Sequence, residues 1–305
     1  MSLHRALEDY LRVRRSLGFQ LERDGKLLPD FLRYLDERGL SYVTTTAALA
    51  WATQPRDAQP AWWSARLLMV RGFAKYLQTI EPRTEVPPPE LLPHRRARSK
   101  PYVYSAEDVT ALLSATDTLG SPFRMATYKT LLGLLAVTGM RVGETIALDD
   151  SDVQRRRSTL VIRKAKFGKS REIPLHASTV HALDRYRRER DQVVPCRKTT
   201  SLFVSGHGTR LFYQNVHLTF LRLVYEAGLG ERKPRPTIHD LRHTFAIRTV
   251  LGWHRDRLDV EARLPLLSTY LGHISPSSTY WYLSAVPELL EAATVRLTRY
   301  TQGAP

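Results

Sequence analysis

Residues that could bind and attack a phosphodiester recur at separated places in the sequence. Arg141 follows a glycine in TGMRVGE, and Glu144 lies three residues further on. His239 and Arg242 stand three residues apart in HDLRHTFA, a spacing that puts both on one face of a helix. Guanidinium groups stay charged and bind phosphate oxygens in a planar, bidentate way. The two arginines are therefore candidates for neutralising charge on a phosphoryl group, with the histidine as a proton carrier.

Two tyrosines flank a tryptophan close to a further histidine. His273 ends the tripeptide LGH, and Tyr280, Trp281 and Tyr282 follow. In a helix Tyr280 and Tyr282 point about 200° apart, so only one can face a given site. A phenol, with an ordinary pKa of about 10, becomes a usable nucleophile where nearby cations favour its ionised form. The alternative for this triplet is packing, the commonest role of clustered aromatic rings.

A basic segment, RKAKFGKSREIPL, is typical of a hairpin with its turn at Phe167-Gly168. Lys164 and Lys166 share one face of a strand, so strand alternation does not separate them. Lys169 lies across the turn. The alternative is a charged edge hairpin, which discourages pairing between sheets.

The sequence gives little indication of a metal or cofactor. His239 and His243 are four residues apart, but the zinc-protease pattern needs a glutamate directly after the first histidine, where this chain has Asp240. Cys196 is the only cysteine, which excludes an internal disulfide and a cysteine-based zinc site. We therefore expect no metal and no cofactor.

In this order and spacing, the segments resemble the catalytic segments of the tyrosine recombinases, the phage integrase family. The resemblance runs from about Tyr102 to the C-terminus, and TGMRVGE, HDLRHTFA and LGH followed by a tyrosine carry it. It implies catalytic roles for Arg141, Lys166, His239, Arg242, His273 and Tyr282, with Glu144 in support. It also implies that Tyr282 attacks DNA to form a 3′-phosphotyrosyl link without metal or ATP, and that Lys166 protonates the leaving oxygen.

Four segments near the N-terminus have the apolar spacing of helices. They are LHRALEDYLRVRRSLGF, GKLLPDFLRYLDERGL, TTAALAWAT and AWWSARLLMVRGFAKYLQTI. A stretch with six prolines and several basic residues follows, and it cannot continue a helix. The sequence therefore predicts a helical domain over 1–80, a proline-rich basic linker over 81–102 and a catalytic domain over 103–305.

The catalytic domain is predicted to combine helices with a small antiparallel sheet. Ser105 is a plausible N-cap, and a buried helix is expected to end near Gly139. Three segments, TIALDDSDV, STLVIRKAK and SREIPLH, are predicted as strands, after which helices resume. The fold class is mainly α with a small antiparallel β-sheet. The resemblance implies a helical, SAM-like core-binding domain followed by the catalytic domain of a tyrosine recombinase.

The charge of the chain favours a polyanionic partner. Its 46 basic residues exceed its 30 acidic ones, for a formal net charge of +16. Candidates for DNA contact in the first domain are Arg12, Arg14, Arg15, Arg66 and Arg71. No apolar run approaches the ~20 residues of a spanning helix, and the N-terminus lacks a secretory signal. We expect no membrane partner and a bacterial or archaeal cytoplasmic protein associated with the nucleoid.

The resemblance implies a site-specific recombinase of a mobile element, acting in integration, excision or inversion. Its partners would be double-stranded DNA with an inverted-repeat site and three further copies in a tetramer assembled from monomers or dimers. A partner recombinase or DNA-bending protein is a further possible partner. The tail VPELLEAATVRLTRY predicts an amphipathic helix that would dock into a neighbouring subunit. The alternatives are a type IB topoisomerase and a catalytically silent DNA-binding accessory factor.

Overall fold

The chain forms two compact units, Met1–Ser99 and Lys100–Pro305. The computed structural model describes residues 2–92, 100–163, 170–273 and 279–280. Each unit has a hydrophobic core of its own. Across the described ranges, no helix is both long enough and apolar enough to cross a membrane. The predicted C-terminal helix lies outside the described residues.

The first unit is helical. Its helices are α1 (Leu3–Ser16), α2 (Asp24–Asp36), α3 (Thr45–Thr53) and α4 (Pro60–Leu77). The Ser2 hydroxyl caps α1 by accepting from the amide of Arg5, as short polar side chains do at helix starts. Phe31, Trp51 and Phe73 are fully buried between the helices. All four predicted segments are therefore helical, because each presents an apolar face to one common core.

Arg66 differs from its expected role as a DNA contact. Only 7% of Arg66 is exposed. Its guanidinium lies 3.7 Å from the ring centroid of Trp51, and its Nη2 donates to the Trp51 carbonyl at 2.8 Å. That prediction is wrong, because the spacing of arginines along a helix does not show which of them turn inward to stack on an aromatic ring.

The second unit contains most of the helices. They are α5 (Ala106–Ser114), α6 (Pro122–Thr138), α7 (Val142–Ala147), α8 (Ala177–Val193), α9 (Tyr213–Glu226), α10 (Asp240–Arg255) and α11 (Val260–Leu271). The Ser105 hydroxyl accepts from the amide of Asp108, and the Asp108 carboxylate accepts from the amide of Ser105. This reciprocal pair is a capping box, so the predicted N-cap has a physical basis.

A three-stranded antiparallel sheet packs against these helices. Its strands are β1 (Val153–Gln154), β2 (Thr159–Ile162) and β3 (Arg171–Pro174), in the order β1-β2-β3. Leu160 pairs with Ile173, and both are fully buried. The alternate residues of β2 and β3 therefore supply one apolar face to the core.

The first predicted strand, TIALDDSDV, is wrong for most of its length. Its start belongs to α7, and a 3-10 turn covers Asp150–Asp152. The Asp152 carboxylate accepts from the amide of Asp149 at 2.9 Å, which closes that turn. Short acidic side chains bond to nearby amides and so compete with a strand ladder, and they outweigh the β-branched residues of this segment.

Two glycines end helices in left-handed conformations. Gly139 ends α6 with φ +61°, and Gly272 ends α11 with φ +66°. A Cβ on Gly139 would lie 2.5 Å from Cδ1 of Phe245, and one on Gly272 would lie 2.9 Å from Nη1 of Arg171. Both positions therefore exclude a side chain for conformational and steric reasons.

The segment between Arg242 and His273 forms a helical hairpin with a small core of its own. Helices α10 and α11 bury a cluster that is separate from the main core of the unit. The cluster consists of Ala246, Ile247, Val250, Val260, Leu264, Leu267 and Leu271. This small core therefore supports α11, the helix that precedes His273.

We predict that Gly139→Ala destabilises the second unit more than Gly133→Ala. Gly133 lies inside α6 with open space around its Cα, so alanine should be neutral or stabilising there by up to about 1 kcal/mol. At Gly139, left-handed strain costs about 1–2 kcal/mol before the overlap with Phe245 is counted. Calorimetry of the full chain would measure the shift of each transition. Equal effects of the two substitutions would contradict this account.

Candidate active site

Arg242 is the buried centre of the candidate site. Only 2% of this residue is exposed. Its Nη1 donates to the carbonyl of Gly139 at 2.8 Å, and its Nη2 donates to the carbonyl of Leu271 at 2.5 Å. These carbonyls stand at the ends of α6 and α11, where helical oxygens lack partners within the helix. Arg242, on α10, therefore joins the ends of two other helices.

Arg141 brings a second guanidinium to the same place. It is the N-cap of α7, and its Nη2 donates to the carbonyl of Gly272 at 2.9 Å. Gly272 directly follows Leu271, so the two arginines bind consecutive carbonyls at the end of α11. About a third of the Arg141 side chain, 31%, is exposed. Its positive charge is therefore accessible to a ligand at the surface of the site.

Glu144 is held between Arg141 and an arginine of the sheet. Arg171, at the start of β3, donates from Nη1 to Oε1 at 3.0 Å and from Nη2 to Oε2 at 2.8 Å. Oε1 also accepts from Nη1 of Arg141, and Oε2 accepts from the Arg141 amide. Burial alone would raise the pKa of Glu144, but the hydrogen bonds and charges of the arginines outweigh it, so that pKa is lowered. The carboxylate is therefore ionised.

His273 lies against the two arginines at the end of α11. Its amide donates to the Ser268 carbonyl, and its Nδ1 is 2.8 Å from the hydroxyl of Thr279. Thr279 is fully buried. Burial, followed by the charges of Arg242 and Arg141, lowers the pKa of His273 to about 4. The imidazole is therefore neutral at pH 7.

His239 stands at the N-cap of α10, one turn from Arg242. Burial, and then the charges of Arg242 and Arg141, lowers the pKa of His239 to about 4. The residue nevertheless has an exposed surface, where solvent weakens the effect of burial. Its ring meets that of His243 edge to face, with the centroids 4.7 Å apart. His239 is therefore a neutral, solvent-accessible imidazole beside two guanidiniums.

The beginning of α10 is fixed by contacts with the start of the second unit. Asp240 accepts from the amide and the hydroxyl of Thr237 at 2.8 and 2.7 Å. The Tyr104 amide donates to the hydroxyl of Thr244, and the Tyr104 hydroxyl donates to the carbonyl of Thr237. Arg248 donates to the carbonyl of Tyr104. The first turns of α10, which carry Arg242, are therefore held along one side.

The described structure thus brings five of the predicted site residues together. They are Arg141, Glu144, His239, Arg242 and His273. Lys166 and Tyr282 lie outside the described residues, as do Lys164 and Lys169. Tyr280 is described and 46% exposed.

Sequence reasoning missed two residues of the site. Arg171 belongs to the basic segment, but its pairing with Glu144 depends on where β3 meets α7, which no local spacing reveals. Thr279 precedes the tyrosine pair, and only its contact with His273 distinguishes it from other hydroxyls. The one available signal for Arg171 was the acidic residue Glu144, because its carboxylate would need a second cation if it were buried.

Within the described ranges, the histidine pair that was considered for a metal is joined by no third ligand. His239 and His243 are in ring contact. Among the residues that the structure describes, no group of three or more histidine, cysteine, aspartate or glutamate side chains could hold a metal ion. Positive charge at this site is instead supplied by guanidinium groups.

Comparison with known proteins identifies the family. Residues 103–288 match the phage integrase family. A Sinorhizobium fredii protein that carries the name integrase/recombinase y4rB is 42% identical over 308 residues, covering 98% of both chains. The tyrosine recombinase XerD of Oceanobacillus iheyensis is 27% identical, over 92% of this chain and 93% of that protein. This chain therefore belongs to the phage integrase family.

The fold agrees with solved structures of similar proteins. The integrase of transposon Tn1549, solved in complex with transposon right end DNA, superposes with a TM-score of 0.65 at 18% identity. The superposition covers 96% of this chain and 99% of that one. The expected fold class, mainly helical with a small antiparallel sheet, is confirmed.

We predict that the second unit loses stability as the pH falls below about 6.5. The pKa of His273 is about 4 in the folded chain and about 6.5 when unfolded, so between these values the unfolded state binds more protons. This part of the stability is complete above about pH 6.5 and is lost progressively towards pH 4. His273→Gln should flatten the dependence, as measured by calorimetric Tm at pH 7.5 and pH 5.

His207→Gln is the matched control, because His207 is an exposed histidine that lies in a turn outside the site. It should keep the dependence of the original chain. The explanation would be wrong if His273→Gln left the slope of Tm against pH unchanged.

Proposed function

We propose that this chain is a site-specific DNA recombinase that cleaves and rejoins duplex DNA through a 3′-phosphotyrosyl intermediate. The observation that carries this proposal is the convergence of Arg141 and Arg242 on consecutive carbonyls at the end of α11, beside two neutral imidazoles. Membership of the phage integrase family supports the same reaction. Relatives named tyrosine recombinase and a transposon integrase solved with DNA agree with it.

The nucleophile in this proposal is the phenol of Tyr282. The phenol gives its proton to a site histidine, and its oxygen attacks the scissile phosphorus to form a P–O bond to tyrosine, while the bond from phosphorus to the 5′ oxygen breaks. Lys166 donates a proton to that oxygen as it leaves. The phosphotyrosyl link retains the energy of the broken bond, so a 5′ hydroxyl can later attack it and rejoin the DNA. No ATP is then needed.

The arginines stabilise negative charge as the phosphoryl group is transferred. Removing one preorganised donor of this kind costs roughly 3–4 kcal/mol of activation free energy. The side chain of Arg141 is partly exposed, and Arg242 contributes its positive charge from a buried position. The proposal needs no metal, because guanidinium groups supply the charge that a Lewis acid would provide.

The histidines act as hydrogen-bond donors or proton carriers. Burial, and then the charges of Arg242 and Arg141, lower the pKa of both imidazoles and keep them neutral. A bound phosphate would place negative charge beside them and raise their pKa towards the ordinary value. His239 and His273 would then exchange protons near neutral pH, where acid–base catalysis is efficient.

We also propose the division of labour along the chain. Residues 1–80 would grip DNA as a core-binding domain, 81–102 would follow the DNA backbone as a linker, and 103–305 would hold the catalytic site. The net charge of +16 supports contact with a polyanion. Arg12, Arg14, Arg15 and Arg71 remain candidate contacts in the first domain.

The expected working assembly is a tetramer on two synapsed DNA sites, each an inverted repeat, formed from free monomers or dimers. The amphipathic tail after Val286 would dock into the neighbouring subunit. A partner recombinase or a DNA-bending protein would be a further component of this assembly if four copies of this chain do not recombine DNA on their own. The natural setting would be the nucleoid of a bacterial or archaeal cytoplasm, with integration, excision or inversion of a mobile element as the outcome.

We predict that Tyr282→Phe abolishes covalent attachment to DNA, whereas Tyr280→Phe retains it. The substrate is a nicked duplex with the inverted repeat that the protein protects in footprinting of DNA flanking its gene. Cleavage next to a nick releases a short strand and traps the phosphotyrosyl link, which denaturing gels detect. If Tyr280→Phe lost the adduct and Tyr282→Phe retained it, the assignment of Tyr282 as the nucleophile would be wrong.

Two other results of this assay would change the proposed function. Attachment at any sequence, together with relaxation of supercoiled plasmid by the monomer, would identify a type IB topoisomerase. Specific binding without any adduct in the original chain would identify a catalytically silent accessory factor. In either case the recombinase proposal would be abandoned.

We predict that Lys166→Ala slows cleavage by about 10²–10⁴-fold, as expected for loss of a general acid. Replacing the 5′ bridging oxygen by sulfur should restore most of the rate, because a thiolate leaves without a proton at neutral pH far more easily than an alkoxide. Lys169→Ala is the matched control on the other side of the turn predicted from the sequence, and it should lose little on either substrate. Sulfur rescue of Lys169→Ala instead would transfer the role to Lys169.

A further inference from the structure

We propose that Arg171 is a positioning residue for recombination, which occupies the carboxylate of Glu144 so that the charge of Arg141 stays available to the scissile phosphate. The inference rests on the proposed function and deepens it. Arg171 is not among the residues to which the family resemblance gave a role. It is argued from contacts among three side chains and the end of α11.

The first step of the argument is the sharing of Glu144. Each oxygen of this carboxylate accepts one bond from Arg171 and one from Arg141, at distances between 2.8 and 3.0 Å. The Arg171 bonds are the paired, planar kind, with both terminal nitrogens engaged. Arg141 uses only one terminal nitrogen on Glu144 and directs the other to the carbonyl of Gly272. Arg171 is therefore the main partner of the carboxylate.

The second step is burial. The side chains of Arg171 and Glu144 are 12% and 10% exposed, against 31% for Arg141. A carboxylate in such a place needs full compensation of its charge, because solvent supplies little of it. If Arg171 is removed, the cation left in contact with Glu144 is Arg141. Arg141 would then be drawn into a paired geometry with Glu144 and its charge would be neutralised.

The third step is the crowding around Gly272. A Cβ at this position would lie 2.9 Å from Nη1 of Arg171 and 3.6 Å from Nη1 of Arg141. Both guanidinium groups therefore flank the peptide that ends α11 and precedes His273. Nε of Arg171 is buried and has no hydrogen-bond partner among the described residues. The orientation of Arg171 is thus set by its two bonds to Glu144, which agrees with a role in pairing with that carboxylate.

These steps lead to a distinctive expectation for paired substitutions. Arg171→Gln leaves Glu144 charged and free to neutralise Arg141, so the rate of cleavage should fall. Adding Glu144→Gln removes the competing negative charge and should restore part of that rate. A residue that only supported the fold would give the opposite result, because a second loss in the same buried cluster would add damage.

The experiment compares the rate of covalent attachment for the full-length chain and its variants on the nicked duplex. Arg171→Gln should be slower by about tenfold or more, a part of the 10²–10³ that loss of a charge-stabilising donor costs. The Glu144→Gln, Arg171→Gln double variant should be faster than Arg171→Gln alone. Arg171→Lys should fall between, since it keeps the charge and loses the planar pairing.

A second substrate separates charge from folding. In a scissile methylphosphonate one non-bridging oxygen is replaced by a methyl group, so the phosphoryl group arrives without its negative charge. The deficit of Arg171→Gln should shrink on this substrate, because less charge requires stabilisation. Arg155→Gln is the matched control: Arg155 pairs with Asp184, a carboxylate that is also 10% exposed, and should keep the original rate on both substrates.

The possible outcomes are distinct. Two results would overturn the role of Arg171. The first is that Arg171→Gln cleaves the phosphodiester at the rate of the unsubstituted chain. The second is an equal deficit on both substrates, without recovery in the double variant. Absence of a Tyr282-dependent adduct in the unsubstituted chain would overturn the proposed function itself. Calorimetry of Arg171→Gln would show whether the second unit remains folded, and Arg171→Lys tests the proposal if it does not.

Discussion

The guanidinium of Arg242 bonds to the carbonyls that end α6 and α11, and the rest of the site depends on this interaction. Arg141 lies two residues after the first of these carbonyls, and His273 lies two residues after the second. The segments TGMR and LGH are about 130 residues apart in sequence, so no local preference could bring them together. Helix ends leave carbonyls without partners, and a buried cation between two such ends satisfies both. The relative positions of Arg141, Arg242 and His273 therefore follow from how the helices are joined.

Charge is distributed unevenly around this junction. Arg141 and Arg171 share the carboxylate of Glu144, and Arg242 bonds to the carbonyl next to the one that Arg141 binds, so three guanidiniums meet near the end of α11. Burial, and then the charges of the arginines, keep the imidazoles neutral, because protonating them would add a like charge to a partly buried place. The two guanidiniums of Arg171 and Arg141 also explain why a glycine ends α11, because they leave no space for a side chain at Gly272.

Much of this organisation could be predicted from the sequence, for physical reasons that differ between elements. The family and the fold class are confirmed, because apolar periodicity and short motifs are local signals. The strand assigned to TIALDDSDV failed where aspartate side chains capped turns, and Arg66 failed where a ring drew an arginine inward. Arg171 was missed because its partner comes from another element. The roles of Lys166 and Tyr282 stay predictions.

Tyr104 has one further consequence. The second unit begins at Lys100, and four residues later the main chain is fastened to α10 through Thr244 and Arg248, while the phenol reaches Thr237. The segment that enters the unit is thus anchored on the helix that carries Arg242. A displacement of Tyr104 would therefore pass directly to the first turns of α10 and so to the guanidinium of Arg242.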